Sequence, residues 1–274
     1  MKVKSLAYRT DLLFPAFDGE IVDRGEYLVI RTPANPRFYW GNFLLFRDPP
    51  RAGDERRWPE LFAQEIGAPP AFVHQTFGWD STAGEEGASR AFLAAGFRLS
   101  RCSVLTAGDI HFPPRHSRDV VVRTLATDED WRQALELQVE TREPEHGEST
   151  HREFRRRMIA RYRAMIHAGL GAWFGAFLDG LLVADLGIFH DRAVGRYQSV
   201  ATRADYRRRG IAGTLVGESG RVALDQFGLR RLAIVAEAGS AAARLYEACG
   251  FRQTEFQMGL ERWDWTDARE KDGG

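Results

Sequence analysis

Cysteine is nearly absent from this chain. Cys102 and Cys249 are the two present, far apart and outside any Cys-x-x-Cys spacing, so neither a disulfide framework nor a thiolate metal site is expected. The seven histidines are scattered, with no His-Glu-x-x-His run, and no metal is expected. Lysine is equally scarce: Lys2, Lys4 and Lys271 stand against 35 arginines. Net charge is zero and the charges balance in each half, which excludes the positive field of a nucleic-acid binder. No apolar run approaches the ~18 residues of a membrane span, and Met1–Ser5 opens no signal-peptide core, so a cytoplasmic protein with no membrane partner is expected.

What is present is a core-forming composition, 44% hydrophobic over 274 residues, enough for one or two domains. The most informative stretch is Arg207-Arg208-Arg209-Gly210-Ile211-Ala212-Gly213-Thr214. It lies between a strand-like run, Arg196–Thr202, and a helix-like run to Phe227. A glycine turn that opens a helix leaves backbone N–H groups unpaired beside a positive dipole end, and so can cradle a phosphate. No Gly-Lys-Ser/Thr follows, which excludes a Walker loop, and the first glycine of a dinucleotide fingerprint is missing. A Gly-x-x-Gly RNA clamp would join two helices, whereas this turn follows a strand.

Around this turn the second half alternates cleanly. Val120–Leu125 reads as a strand and Thr127 as the N-cap of a helix to Arg142. Ser149–His167 carries Phe154, Met158, Tyr162 and Met165 on one helical face. Ala172–Leu178 and Leu181–His190 flank a hairpin signal, Asp179-Gly180. Leu232–Val235 is a strand, Ala241–Cys249 a helix closed by Gly250, and Phe251–Arg262 the last strand. Gly108–Ser117 reads as a linker. In the first half Tyr27–Arg31, Phe38–Phe46 and Ala71–Phe77 read as strands and Glu55–Ile66 as a helix. Ala91–Arg98 aligns with Leu245–Arg252 through Ala94/Ala248, Gly96/Gly250, Phe97/Phe251 and Arg98/Arg252, which suggests an internal duplication.

The second half resembles the GNAT acyltransferase superfamily. Three parts carry the resemblance: Arg207–Ala212 as the family's Arg/Gln-x-x-Gly-x-Gly/Ala loop, Ser199-Val200-Ala201-Thr202 as its central strand, and Ala242–Phe251 as its A-x-x-L-Y-x-x-x-G-F helix and strand. The resemblance implies an α/β (α+β) chain of two GNAT-like domains, each a mixed, mostly antiparallel sheet flanked by helices. Expected boundaries are 1–115 for a degenerate domain without a CoA loop, 118–265 for the acetyltransferase domain and 266–274 for a flexible tail. Where the family often has Asn before the tyrosine helix, this chain has Gly239. Phe92 stands in the place of Tyr246, and Arg47–Asp54, with Asp48, Pro49, Pro50 and Asp54, stands where the first half's loop would be. Prolines remove donors and aspartates repel phosphate, so a single cofactor site is expected.

By the same resemblance the cosubstrate is acetyl-CoA. Arg207, Arg208, Arg209, Gly210, Ile211, Ala212, Gly213 and Thr214 would hold its pyrophosphate, and Ser199, Val200, Ala201, Thr202 its pantetheine arm. Tyr246 would serve cofactor and departing thiolate as general acid. Glu237, ending a strand, is the candidate base, and Asp185 is a buried or cleft-facing acid. The loop Glu140–Glu148, with Glu143, Glu145 and His146, reads as a solvated loop or as the receiver of a cationic amine. The expected activity is acetyl transfer to a primary amine of a small molecule by direct attack in a ternary complex, in a monomer or homodimer. The alternatives are a non-catalytic CoA-binding regulatory module, or an acyltransferase acting on a protein, peptide or aminoacyl acceptor.

Overall fold

The structure, a computed structural model, describes residues 1–143, 147–191 and 193–263. Glu145, His146 and the expected tail lie outside the described residues.

In chain order the first elements are α1 (Leu6–Asp11), α2 (Leu13–Asp18), β1 (Glu20–Asp23), β2 (Tyr27–Arg31), β3 (Phe43–Phe46), α3 (Asp54–Glu65), β4 (His74–Trp79), α4 (Ser89–Ala94) and β5 (Arg98–Ala107). Then follow β6 (Val121–Thr124), α5 (Asp128–Glu140), α6 (Glu148–His167), β7 (Gly171–Leu178), β8 (Leu181–His190), β9 (Val194–Thr202), α7 (Ile211–Gln226), β10 (Arg231–Glu237), α8 (Ala241–Ala248) and β11 (Arg252–Trp263). The chain forms two compact units, Met1–Val104 with the chain from Glu255, and Leu105–Thr254.

In the first unit β1, β2 and β3 are antiparallel neighbours and β3 runs parallel to β4. β11, from the far end of the chain, pairs antiparallel with β4 from Met258↔Trp79 to Trp263↔His74 and lies between β4 and β5. The expected boundaries placed that strand with the second domain; its ladder ties residues from Glu255 to the first unit. The core is aromatic: Phe46 stacks on Trp58 at 3.7 Å, with Phe77, Phe92 and Phe97 edge-on or tilted around them. The expected strand Phe38–Phe46 begins only at Phe43, because Asn42 Nδ2 bonds the carbonyls of Asn35 and Phe38 and folds the segment before it into a turn. The strand expected at Ala71–Phe77 lies at His74–Trp79. α1 carried no strong sequence signal; Ser5 caps it, while Asp80 accepts from the N–H groups of Lys4 and Ser5.

In the second unit β6, β7, β8 and β9 are antiparallel and β9 runs parallel to β10. The order of elements follows the pattern read from the sequence. Thr127 caps α5 in a reciprocal box with Asp130, whose carboxylate Arg123 also grips and holds far below its ordinary pKa. Asp179 and Gly180 both take positive φ, 49° and 83°, as a tight hairpin requires. α5 and α6 pack together, and α5 and α7 both contact β8. The buried core runs from Phe174, Leu186 and Ile188 through Tyr197 to Leu215, Leu232 and Phe251. Among the described residues no helix is long and apolar enough to cross a membrane.

The two helix ends aligned in the sequence are alike in hydrogen bonding. Phe97 N–H donates to Phe92 O, and Phe251 N–H donates to Tyr246 O. Gly96 and Gly250 between them are left-handed, at 86° and 101°.

Candidate active site

β9 and β10 pair in parallel only over Val194–Arg196 and Arg231–Ala233. Beyond that no pairing joins them, so their remaining lengths, through Thr202 and Glu237, line an opening between neighbouring strands. On its other edge β9 stays bonded to β8, but with a register break: Gln198 opposes Gly187 and Ala201 opposes Asp185. The extra residue is a bulge at Ser199, whose φ is 51°. A non-glycine residue there is held against local preference, while the edge of Ser199–Thr202 away from β8 stays unpaired with β10. The expected pantetheine residues therefore lie on one free strand edge.

Arg207–Gly213 follows immediately. Arg208 and Gly210 take left-handed φ of 59° and 79°. Alternating hands in a turn point successive N–H groups the same way, and such a nest binds anions. Thr214 is the first N–H of this segment to find a helical acceptor, Gly210 O one turn back at 3.1 Å. Among the described residues no acceptor meets the N–H groups from Arg208 to Gly213. Arg207, Arg208 and Arg209 are exposed around the turn. Arg209 lies over the Tyr206 ring at 5.0 Å, and Arg207 Nε donates to Thr202 O.

Gly210 serves a second purpose that the sequence did not suggest. A Cβ there would lie 2.8 Å from the carbonyl carbon of His116 and 2.9 Å from Ser117 N. Gly213, Gly217 and Gly220 form a stripe along α7: side chains there would collide with Pro113, Phe112 and the Tyr197 hydroxyl, the last also pressing on Ile110. The segment read as a linker is thus seated on α7, and Arg221 covers Phe112 at 4.2 Å. The spacing of these glycines was the available signal.

Tyr246 is buried on α8, with its ring 6.3 Å from Phe251. Burial raises its pKa well above the ordinary phenol value, so the hydroxyl stays protonated. Among the described residues that hydroxyl has no hydrogen-bond partner. Glu237 is exposed at the end of β10, and no bond joins its carboxylate to Tyr246. Gly239 is left-handed at 73°, and Ser240 caps α8 in its wake.

Behind the bulge lies a polar network that sequence reasoning found only at Asp185. Asp185 is fully buried; Trp173 Nε1 donates to its Oδ2 at 3.0 Å, and Gln138 Nε2 to its Oδ1 at 2.6 Å. The same Gln138 amide reaches Ser199 O at 3.2 Å, so α5 and β8 together hold the bulge. Gln198 Nε2 donates to the Tyr162 hydroxyl at 3.3 Å. Of the loop expected to receive an amine, Glu140 pairs with Arg203 and Glu148 with Arg142 and Arg152. A shallow surface cavity lined by Glu129, Gln133 and Leu181 shares no residue with the site.

In the first unit a glycine turn also opens a helix, with two of its N–H donors taken by carboxylates. Gly53, left-handed at 94°, caps α3 as Gly210 caps α7. Here Arg51 N–H donates to Asp54 at 2.7 Å and Gly53 N–H to Glu55 at 2.9 Å. The parallel pair β3 and β4 stays closed at its end, where Asp80 N–H donates to Phe46 O.

The sequence pattern of the acetyltransferase (GNAT) family matches residues 126–251. No functionally curated protein matches the chain. Among solved structures, a conserved protein of unknown function from Staphylococcus epidermidis is 12% identical with a TM-score of 0.66, over 90% of this chain and 95% of that one. A GCN5-related N-acetyltransferase from Kribbella flavida is 15% identical with a TM-score of 0.62, over 94% and 95%. A tandem GNAT protein from the clavulanic acid biosynthesis pathway is 13% identical with a TM-score of 0.53, over 92% and 87%. At these identities the likeness is one of fold, and it covers most of this chain. The strand opening, the bulge and the glycine nest all fall inside the matched segment, so residues 126–251 carry the pattern of the acetyltransferase (GNAT) family.

Proposed function

We propose that the protein is an acetyl-CoA-dependent N-acetyltransferase with one cofactor site per chain, formed by the second unit. The observation that carries this reading is the run of unpaired N–H groups from Arg208 to Gly213 at the mouth of the β9/β10 opening. Pyrophosphate fits such a nest, and the free edge at Ser199–Thr202 fits the amides of a pantetheine arm. Acetyl-CoA supplies an acetyl thioester and a thiol leaving group. An incoming amine forms a C–N bond to the acetyl carbon, the C–S bond breaks with its electron pair on sulfur, and the nitrogen gives up one proton. Val200 N–H, on the free edge beside the bulge, is the candidate donor to the carbonyl oxygen. Tyr246, neutral and with its hydroxyl unengaged, donates to the departing sulfur. Glu237 is the candidate acceptor of the nitrogen's proton, directly or through water.

The first unit binds no second cofactor in this reading, because Asp54 and Glu55 take two donors of its turn and place carboxylates where phosphate would lie. Calorimetry of the full chain with acetyl-CoA tests both points: one equivalent per chain supports them, and two equivalents or none refutes them. Thiol release across a panel of amines then tests transfer. Binding without release from any amine would favour a regulatory CoA-binding module.

A further inference from the structure

A trans peptide group points its C=O and N–H opposite ways, so whatever grips the carbonyl also aims the amide. The peptide that joins Ser199 to Val200 is trans and sits at the bulge. Arg203 N–H donates to Val183 O, and Ala201 stands opposite Asp185 in the same register. Strand residues turn their backbone groups alternately toward and away from a neighbour, so Ala201 faces β8 and Val200 N–H faces away from it. That side has no partner strand, because β10 pairs with β9 only as far as Arg196. The carbonyl end of the peptide is held from behind. Gln138 Nε2 on α5 donates to Ser199 O at 3.2 Å and to Asp185 Oδ1 at 2.6 Å. A carbonyl and a carboxylate oxygen both accept, so only the NH2 end of the amide satisfies them, and its orientation is fixed. Trp173 Nε1 holds the other Asp185 oxygen at 3.0 Å. The Ser199 side chain is bonded in turn to the Tyr162 hydroxyl. Burying the Asp185 carboxylate costs stability, since among the described residues no cation is within ion-pair distance of it. Its neighbours on β8, Val183, Ala184, Leu186 and Ile188, are the apolar residues that packing alone favours.

We propose that Gln138, backed by Asp185, is a positioning residue for acetyl transfer: it holds the Ser199–Val200 peptide so that Val200 N–H meets the thioester carbonyl oxygen. The bulge makes such a clamp necessary. A φ of 51° is unfavourable for a residue with a Cβ, and without the clamp the peptide relaxes by rotating, which swings the N–H off the oxygen. A donor fixed before the reaction lowers the barrier more than one that must be ordered during it. Gln138 touches no reacting atom and acts through Val200. The inference rests on the acetyl-transfer reading above and names what aims its carbonyl donor.

The test uses the full chain. Calorimetry with acetyl-CoA comes first; absence of binding by wild type defeats the acetyl-transfer reading, and this inference with it. Infrared difference spectra are then recorded with acetyl-CoA isotopically labelled at the acetyl carbonyl. Wild type should lower the carbonyl stretch relative to free acetyl-CoA, the mark of a hydrogen bond to that oxygen. Gln138→Met, close in shape but without the donor, should lose most of that lowering while binding acetyl-CoA as tightly. With any amine that wild type acetylates, the variant should lose about tenfold or more in kcat at unchanged KM for acetyl-CoA. Gln138→Met leaves the buried carboxylate with one partner. If melting shows it unfolded, the double variant Gln138→Met, Asp185→Asn removes that charge and is measured in its place. A merely structural glutamine would change the melting temperature and leave the carbonyl frequency where it was. An equal frequency in wild type and variant, or an unaltered kcat, overturns the proposal. If no amine reacts, the infrared comparison decides alone.

Discussion

The Thr214 hydroxyl clasps Ser117 from both sides: Ser117 N–H donates to Thr214 Oγ1 at 2.9 Å, and Thr214 Oγ1 donates to Ser117 O at 2.9 Å. One side chain in the first turn of α7 thus fixes the segment that runs along the glycine stripe to the anion nest. Thr214→Val keeps the shape and deletes both bonds. It should cost about 1–2 kcal/mol in urea unfolding and weaken acetyl-CoA binding, with Thr214→Ser restoring both. Stability and affinity equal to wild type in the valine variant would show that the clasp is idle.

Gly210 and Gly53 share a left-handed backbone but not their surroundings. Alanine at 210 meets the His116 backbone at 2.8 Å, whereas alanine at 53 meets nothing within 4 Å. Gly53→Ala should cost only about 1 kcal/mol of backbone strain and leave acetyl-CoA affinity unchanged. Gly210→Ala should cost more and reduce that affinity by an order of magnitude or more. Calorimetry on both variants decides; a loss of affinity at 53 would contradict a single site in the second unit.

For Tyr246→Phe the expectation is separation of rate from binding. The hydroxyl bonds no other described residue, so its loss should change stability little. Turnover should fall by about 10- to 100-fold with the KM for acetyl-CoA nearly constant. Unchanged turnover removes Tyr246 from the chemistry.

The two units should answer acid with opposite signs. Burial lifts the Asp185 carboxyl from 3.8 to about 7, against the lowering effect of its bonds from Trp173 and Gln138. Between these values the native state holds a proton that the unfolded chain has released, so stability of the second unit falls as pH rises from 4 to 7. Burial pulls His74 from 6.5 down to about 4, so the unfolded chain binds the extra proton and the first unit loses stability as pH falls through that window. Hydrogen exchange corrected for intrinsic rates, followed from pH 4.5 to 7 in each unit, should show the two slopes. Asp185→Asn should flatten the first and His74→Phe the second; slopes of one sign in both units would refute the assignment.

What was legible in the sequence was local. Thr127, Asp179-Gly180, Gly210 and the two Gly-Phe closures each encode a cap or turn within a few residues, and each is found where expected. The bulge at Ser199 was invisible because it is a mismatch between two strands, not a property of either. Asp185 was legible as an acid among apolar neighbours, but its bonds to Trp173 and Gln138 depend on how β7 and α5 are placed on β8. The burial of Arg161 on the same face as Met158 and Tyr162 was masked by five other arginines on the same helix. Nothing near Glu255–Trp263 indicated its partner, since an alternating strand can join any sheet edge of matching polarity.

That last strand sets an order of events during synthesis. Ribosomes deliver the amino end first, yet β4 and β5 have a gap between them until β11 arrives. The earliest-made unit must therefore wait, with two ladder edges unpaired, while the later-made unit has all of Leu105–Thr254 in hand sooner. A chain interrupted between Thr254 and Met258 would leave its beginning unpaired, with its later-made unit whole.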